Sequence, residues 1–227
     1  MLINDHDGWV FIHNPKCAGT TVRRSLMQYE TRNDFYWLFD MLDGRQIDKA
    51  HLPLALLQRY APSDFALLSH YRVFGFVRDP LARMVSAYNE SHPRVYQKFS
   101  EGRLSQDDYR QALNHFCHGL EAQALKGWNF EYRHCIPQRD MFYLRGKCYA
   151  DVLVKMESLE QQVHKLTAID HRLPAALALK NKRENSKKLP VSHHELLDKK
   201  SLASLKAIYH DDFVLFDYSN APQVCYI

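Results

Sequence analysis

The sequence lacks the features that would place it in several common protein classes. No run of about 18 apolar residues occurs among its 227 residues, so no membrane-spanning helix is predicted. Residues 1–8 carry neither a basic start nor an apolar stretch, so no signal peptide is expected. The five cysteines form no C-x-x-C pair, and the thirteen histidines form no H-E-x-x-H motif. The sequence therefore predicts no metal site and no disulfide scaffold.

Charge is modest in amount and unevenly distributed. The formal net charge is +4, and residues 180–188, KNKRENSKK, hold five basic residues against one acidic residue. That segment has no aromatic residue, whereas a nucleic-acid surface combines basic side chains with aromatic ones. We therefore expect no nucleic-acid partner. The hydrophobic content of 46% and the aromatic content of 12% predict a substantial core, and the length fits a single domain over residues 1–227.

Residues 11–26, FIHNPKCAGTTVRRSL, form the most informative stretch of the chain. An apolar strand, a tight loop and an amphipathic helix are predicted to follow one another here. The loop places Lys16, Gly19 and two threonines at a helix N-terminus, where backbone N–H groups and the helix dipole favour an anion. The standard triphosphate loop, G-x-x-x-x-G-K-[ST], has its lysine after the second glycine, whereas Lys16 precedes the only glycine. The stretch predicts binding of a phosphate-type group rather than ATP with magnesium; an ordinary βα turn with a solvated lysine is the alternative.

A second stretch, VFGFVRDPLARMVSAY at 73–88, repeats the order of strand, loop and helix. Asp79, followed by proline, is a typical helix start, and Arg78 stands at the end of the predicted strand. Ser86 lies two turns into the predicted helix. Because ligands of open α/β sheets bind outside the carboxyl ends of strands, Arg78 and the first loop are expected at the same edge. The alternatives are a salt bridge for Arg78 and an ordinary small helix residue for Ser86.

The rest of the chain alternates between predicted strands and predicted helices. We predict helices at 53–60, 80–98, 109–126 and 193–209, and strands at 142–144 and 151–156. Such alternation predicts a three-layer α/β fold, with a central parallel sheet flanked by helices.

Several segments resemble the sulfotransferases that use 3′-phosphoadenosine 5′-phosphosulfate (PAPS) as donor. PKCAGTT at 15–21 resembles their 5′-phosphosulfate loop, and RDPLARMVSAY at 78–88 resembles their 3′-phosphate motif. HCIPQ at 134–138, VLVKMESL at 152–159 and IYHDDFVLFDY at 208–218 resemble later segments of the carbohydrate-type branch, in the same order. The likeness covers nearly the whole chain and implies a P-loop-type fold.

The resemblance implies that the chain binds PAPS at two separate anion sites. Negative charge lies at both ends of the ribose of this donor, so its two phosphate groups need different partners. The 5′-phosphosulfate would be held by Lys16, Cys17, Ala18, Gly19, Thr20 and Thr21. The 3′-phosphate would be held by Arg78, Ser86, Arg183, Asn185 and Lys187. The last three belong to the basic segment, for which a plain solvated loop is the alternative.

Sulfonyl transfer needs positive charge at the leaving oxygen and a base for the acceptor hydroxyl. Lys16 is the candidate for the first role. For the second role the resemblance favours His51, because a neutral histidine suits proton abstraction near about pH 7. A structural histidine at a helix start is the alternative, and the rival bases are His13, His70, His134 and Glu157. Cys17 is interpreted as a small loop residue rather than as a nucleophile.

The acceptor implied by the resemblance is a hydroxyl-bearing molecule, expected to be a glycan. Many relatives are anchored in a membrane, and residues 1–8 show no such anchor, so we expect a cytoplasmic protein. Two other functions are alternatives. The first is an ATP-dependent small-molecule kinase, against which the order of Lys16 and Gly19 argues. The second is a nucleotide-binding protein without catalytic activity.

Overall fold

The computed structural model describes residues 1–35, 38–123, 129–177 and 191–218. Contacts divide the chain into two compact units, and each is described by itself. The first unit consists of Met1–Arg78 and Gln138–Lys182, and the second unit consists of Asp79–Pro137 and Arg183–Ile227. The single domain expected over residues 1–227 stays a prediction.

The strands lie in the first unit, where they form one central sheet and two small hairpins. The described strands are β1 (Leu2–Asn4), β2 (Trp9–Ile12), β3 (Phe39–Leu42), β4 (Arg45–Asp48), β5 (Arg72–Val77), β6 (Tyr143–Leu144), β7 (Lys147–Cys148) and β8 (Val152–Lys155). The central sheet has the order β1-β2-β5-β8, and β3 pairs with β4 as β6 does with β7. β2, β5 and β8 run parallel, with Gly75 beside Ile12 on one side and Leu153 on the other. The predicted parallel sheet is confirmed, with an antiparallel edge strand, β1, added to it.

Helices occur in both units. The described helices are α1 (Gly19–Leu26), α2 (Leu54–Tyr60), α3 (Pro62–Leu67), α4 (Pro80–Ser91), α5 (Pro93–Ser100), α6 (Gln106–Gln123), α7 (Arg139–Phe142), α8 (Leu159–Gln162), α9 (Leu173–Ala176), α10 (His193–Leu196), α11 (Lys199–Ile208) and α12 (His210–Leu215). Single 3₁₀ turns include Lys49–His51 and Met156–Ser158. Within the described part of the chain, no helix has the length and apolar character needed to cross a membrane.

Helices cover both faces of the central sheet of the first unit. One face packs against α1 and α9 through a core that contains Trp9, Phe11, Val22, Leu26, Phe74, Phe76 and Leu173. The other face meets α2 and α7, because Ile12 lines a small cavity together with Leu54 and Met141. Gly75 lies so close to α7 that an added Cβ would overlap the Phe142 ring. A mostly parallel sheet between helices confirms the predicted α/β fold class.

The second unit is helical and has a core of its own. α4, α6 and α11 supply buried residues to it, including Met84, Tyr88, Tyr109, Leu113 and Leu205. The Tyr109 hydroxyl donates to Asn89 Oδ1 at 2.6 Å, so the polar atom of this buried ring has a partner. Burial raises the pKa of the Tyr109 phenol, which therefore stays neutral.

Two predicted elements keep their positions in the structure. The helix predicted at 53–60 is α2, with Pro53 immediately before its first residue, and the strand predicted at 151–156 is β8. The helix predicted at 109–126 starts earlier, at Gln106, and is described as far as Gln123. Residues 124–126 of the prediction lie outside the described residues.

Three predicted boundaries are wrong. The helix predicted at 80–98 is two helices, α4 and α5, because Pro93 has no N–H to continue a helix and starts a new one. The helix predicted at 193–209 is also two, α10 and α11. The second begins after Asp198, whose carboxylate accepts the Ser201 N–H at 2.6 Å. The strand predicted at 142–144 is shorter, since its first residue ends α7.

Candidate functional site

The loop between β2 and α1 has a backbone shaped to present N–H groups. Lys16 and Ala18 both adopt left-handed conformations, with φ of 63° and 55°. Such conformations are sparsely populated by residues other than glycine and cost on the order of 1–3 kcal/mol each. Ala18 precedes the helical Gly19 and provides no side-chain cap for α1. A left-handed residue next to a helical one turns successive N–H groups toward one point, which is the geometry of an anion-binding nest.

Gly19, His13 and His51 pack directly on one another beside this loop. A Cβ added to Gly19 would overlap the His13 ring, so only glycine fits at the first position of α1. The His13 and His51 rings lie with centroids 4.4 Å apart in an edge-to-face arrangement. The resemblance assigns His51 to the site. In the structure the His51 ring contacts the His13 ring, which in turn packs on Gly19 at the end of the loop.

The backbone carbonyl of His13 fixes the orientation of His51. The His51 Nδ1 atom lies 3.2 Å from the His13 carbonyl oxygen. Because a carbonyl oxygen only accepts hydrogen bonds, this contact requires the proton on Nδ1. The lone pair of the neutral imidazole is then on Nε2. His51 itself lies in the 3₁₀ turn Lys49–His51, which Asp48 caps by accepting the Ala50 N–H at 3.0 Å.

Arg78 and the loop contact each other at the carboxyl ends of β5 and β2. The Arg78 guanidinium donates to the Lys16 carbonyl oxygen at 3.3 Å. Gln138, which is fully buried, accepts the Arg78 N–H at 2.9 Å and donates to the Arg78 carbonyl at 2.8 Å. The same Gln138 oxygen accepts from Asn14 Nδ2 at 2.9 Å. The expectation that Arg78 and the first loop share one edge of the sheet agrees with this geometry.

The remaining loop residues differ in exposure. Cys17 is buried, with Sγ 3.2 Å from Asn14 Nδ2, which fits the interpretation of a small loop residue. Thr20 is exposed and Thr21 is half-buried. Both hydroxyls stand in the first turn of α1, where they can add hydrogen bonds to those of the backbone N–H groups.

In the second unit, α4 presents Ser86 and buries Arg83. Asp79 caps α4 by accepting the Ala82 N–H at 2.8 Å, as its sequence predicts, and Ser86 is half-buried two turns later. Arg83 is fully buried and donates to the carbonyl oxygens of His134, at 3.1 Å, and of Ile136. Its charge is therefore taken up by the backbone of the HCIPQ segment.

Tyr209, which directly follows α11, contacts both Arg83 and the HCIPQ segment. Its hydroxyl donates to the Cys135 carbonyl oxygen at 2.7 Å, and the Arg83 guanidinium lies 5.6 Å from its ring centroid. Burial raises the pKa of the Cys135 thiol to about 12, so this cysteine stays protonated. Arg83 and Tyr209 both belong to segments that the resemblance singled out, yet their mutual role could not be derived from the sequence.

The rival bases lie in different surroundings. His70 is exposed in the turn before β5, at the edge of the sheet opposite the loop. Glu157 lies in the 3₁₀ turn after β8 and is half-buried. His134 lies 3.7 Å from Glu90 in the second unit. His13 is occupied in packing between Gly19 and His51. Arg183, Asn185 and Lys187, assigned to the 3′-phosphate by resemblance, lie outside the described residues.

Two functional candidates, Asn14 and Gln138, were not found by reasoning on the sequence. Asn14 stands where the strand predicted from the apolar run ends, which is a weak signal. Gln138 is the last residue of HCIPQ, a segment noted for its resemblance but given no role. Asn14 lies 62 positions from Phe76 and 124 positions from Gln138, and Gln138 lies 60 positions from Arg78, so no local pattern reveals these contacts.

The comparison with known families agrees with these observations. The model of the sulfotransferase family matches residues 1–219. No curated protein and no solved structure matches the chain. The family match covers the loop, Arg78, the HCIPQ segment and the closing helices. The chain therefore belongs to the sulfotransferase family, whose enzymes use PAPS as donor and transfer its sulfonate group to a hydroxyl-bearing acceptor.

Proposed function

We propose that this chain is a sulfotransferase that moves the sulfonate group of PAPS to a hydroxyl of a carbohydrate, with Lys16 and His51 as its catalytic residues. The observation that carries this proposal is the packing of Gly19, His13 and His51. In this packing a histidine with its lone pair on Nε2 lies beside the loop at the carboxyl edge of the sheet, and this supports the assignment of the loop to the donor and of His51 to the base.

The loop binds the 5′-phosphosulfate in this proposal. The backbone N–H groups of Cys17, Ala18 and Gly19 and the hydroxyls of Thr20 and Thr21 donate to its oxygens. The positive end of the α1 dipole adds to their effect. Lys16 contributes a compact, mobile positive charge from the same loop.

Arg78 binds the 3′-phosphate in this proposal. Its planar guanidinium offers two parallel N–H groups to a phosphate, and its backbone is held at both ends by Gln138. We further assign Ser86, Arg183, Asn185 and Lys187 to the same phosphate on the resemblance alone.

Transfer follows as an in-line displacement at sulfur. The acceptor oxygen forms a bond to sulfur while the bond from sulfur to the 5′-phosphate oxygen breaks. The electron pair of that bond goes to the phosphate oxygen, and the acceptor proton goes to His51 Nε2. The products are a sulfate ester and adenosine 3′,5′-bisphosphate. Lys16 stabilises the negative charge that grows on the leaving oxygen, and removing one such group typically costs about 10²–10³-fold in rate.

Asp48 supports the base. It is buried, and one of its carboxylate oxygens lies within 4.8 Å of a ring nitrogen of His51. Its negative charge favours the imidazolium that forms when His51 accepts the proton. The scheme draws its positive charge from Lys16 and Arg78, and uses no metal.

The carbohydrate acceptor rests on the resemblance to the carbohydrate-type branch. HCIPQ, VLVKMESL and the closing segment occur in the order of that branch. In the structure the first of these supplies Gln138 to the backbone of Arg78, so one of the branch-like segments reaches the proposed donor site.

The proposal is tested by thermal unfolding with nucleotides. Adenosine 3′,5′-bisphosphate is expected to raise the Tm, because a ligand at a hundredfold excess over its Kd stabilises the folded state by about 2.7 kcal/mol. ATP with magnesium is expected to give no comparable shift. Lys16→Ala should lose most of the shift, and Lys147→Ala, an exposed lysine on β7, should keep it. A shift with ATP alone would show a kinase instead, and bisphosphate binding without turnover of any hydroxyl acceptor would show a binding protein.

A further inference from the structure

The end of β5 carries backbone groups that neither of the described neighbouring strands, β2 and β8, satisfies. Backbone N–H and C=O groups alternate in direction along a strand. The Val73 carbonyl accepts the Asp151 N–H on the β8 side, so the groups of Phe76 and Arg78 point to the side of β2. β2, however, ends at Ile12, opposite Gly75, and the chain turns away into the loop. The Phe76 carbonyl and both groups of Arg78 therefore need other partners.

Two side-chain amides take the place of the missing strand. Asn14 Nδ2 donates to the Phe76 carbonyl at 2.9 Å. Gln138 accepts the Arg78 N–H at 2.9 Å and donates to the Arg78 carbonyl at 2.8 Å, as a paired strand residue would. A primary amide suits this position because it offers a donor and an acceptor on one planar group without a charge. Gln138 is 0% exposed, so a lost contact is not replaced by bulk water.

The same amide is linked to the phosphate loop. The Gln138 carbonyl oxygen accepts from Asn14 Nδ2 at 2.9 Å and lies 3.5 Å from Cys17 Sγ. The Arg78 guanidinium also donates to the Lys16 carbonyl at 3.3 Å. Gln138 therefore contacts, from outside both motifs, the two segments that hold the two ends of the donor in the proposed function.

We propose that Gln138 is a positioning residue that sets the spacing between the Lys16–Thr21 loop and Arg78. This inference rests on the proposed function, in which those two segments bind the 5′ and 3′ groups of one nucleotide. The two groups are attached to a single ribose, so their separation is nearly fixed. A protein that holds both partners at the matching separation avoids the entropic cost of arranging them on binding.

The inference predicts that Gln138 affects the recognition of two phosphates together more than the recognition of one. The experiment measures by calorimetry the Kd of adenosine 3′,5′-bisphosphate and of adenosine 5′-monophosphate. The wild type is expected to bind the bisphosphate more tightly. Gln138→Met, similar in volume and without the amide, should weaken bisphosphate binding by about tenfold or more, while changing monophosphate binding much less. The Kd ratio, which is the Kd of the monophosphate divided by the Kd of the bisphosphate, should therefore fall toward the value measured for Arg78→Ala.

Asn114 supplies a matched control. It is also a buried amide that bridges two backbone groups, donating to the Leu196 carbonyl at 2.9 Å and accepting the Asp198 N–H at 2.9 Å, within the second unit. Asn114→Leu should lower the Tm and leave the Kd ratio at the wild-type value. A Kd ratio that falls equally in Gln138→Met and in Asn114→Leu would show a general effect of destabilisation and would overturn the inference.

Gln138→Glu keeps the test decisive if the methionine variant does not fold. A carboxylate retains the acceptor but loses the donor to the Arg78 carbonyl, so the Kd ratio should fall at neutral pH. The protonated carboxyl again has one donor and one acceptor, so lowering the pH should restore the ratio toward that of the wild type at the same pH. A Kd ratio that stays at the wild-type value in both Gln138→Met and Gln138→Glu contradicts the role of Gln138. A wild type that does not distinguish the two nucleotides contradicts the proposed function itself.

Discussion

The parallel strands of the central sheet begin at one edge and end at the opposite edge. Both of these edges are rich in polar residues, but their segments are held together in different ways. At the edge where β2 and β5 begin, arginines pair with carboxylates. Arg32 contacts Asp5 at 2.7 Å and Asp64 at 2.6 Å, and Arg172 contacts Asp170. At the edge where β2 and β5 end, the contacts described above for Asn14, Arg78 and Gln138 join amides and backbone carbonyls instead.

The pKa values follow this division. Hydrogen bonds from Arg32 lower the pKa of Asp5 from 3.8 to about 2, and those from Arg172 lower the pKa of Asp170 from 3.8 to about 2. The positive charges at this edge are thus matched by carboxylates that stay ionised. Such an edge contributes to folding and offers little to an anionic ligand.

At the edge where β2 and β5 end, the segments are held by their shape rather than by paired charges. Gly19 admits the His13 ring, two residues of the loop are left-handed, and Gln138 replaces a missing strand. Strained backbone and buried amides are costly unless the surrounding structure holds them, and they concentrate where a ligand binds. The number of charges therefore does not distinguish the two edges, whereas the way in which their segments are held does.

The largest effect is expected from Gly19→Ala. The added methyl group overlaps the His13 ring, which must move and take His51 and the loop with it. We expect kcat/KM to fall by at least about 10³-fold, with loss of bisphosphate binding. Gly119→Ala is the control, because no atom of the described residues lies within 4 Å of the Cβ that would be added in α6. Unchanged bisphosphate affinity in Gly19→Ala would remove the main distinction between the two edges.

The next effect is expected from His51→Ala. Loss of the base should lower kcat by about 10²–10⁴-fold, whereas the Kd of the bisphosphate should change little because His51 does not contact it in the proposal. His6→Ala, an exposed histidine at the opposite edge, should leave both values unchanged. Full turnover in the His51 variant would assign the base to another residue.

A smaller effect is expected from Arg78→Ala. Loss of a charge-assisted pair with the 3′-phosphate should raise the donor KM by about 10–100-fold, with a smaller change in kcat. Arg59→Ala, which removes an exposed arginine paired with Asp43, serves as the control. Equal KM values in the two variants would show that Arg78 does not bind the donor.

The smallest effect concerns the opposite edge and appears in stability alone. Because the folded state lowers the pKa of Asp5 and Asp170 from 3.8 to about 2, their contribution is present above pH 3.8 and is lost as the pH falls toward 2. Asp5→Asn should lower the Tm near neutral pH by about 2–4 °C and flatten its acid dependence. The exposed Asp43 provides the control as Asp43→Asn. A change in bisphosphate affinity in Asp5→Asn would contradict the separation of the two edges.

Local patterns were sufficient to predict much of the fold. β2, β5, α1, α2 and the Asp79 cap follow from apolar periodicity and from helix-start residues. The break at Pro93 is also visible in the sequence, since proline cannot continue a helix. β1 was missed because a strand of three residues has too little periodicity to detect.

The candidate site was predictable only where its residues lie within one motif. Lys16, Gly19 and Arg78 stand at strand ends, so their spacing is enough to predict that they lie at the same edge of the sheet. The packing of His13 between Gly19 and His51, and the bridge from Gln138 to Arg78, join residues far apart in the chain. Such contacts depend on the register of the folded sheet, which a single sequence does not give.

The most direct test of the proposed donor site is a crystal structure of the protein with adenosine 3′,5′-bisphosphate. We expect the 5′-phosphate within about 2.7–3.2 Å of the loop N–H groups and of Lys16 Nζ, with the 3′-phosphate on the Arg78 guanidinium. Nucleotide density located away from the Lys16–Thr21 loop, or with the two phosphates reversed, would contradict the proposed donor site.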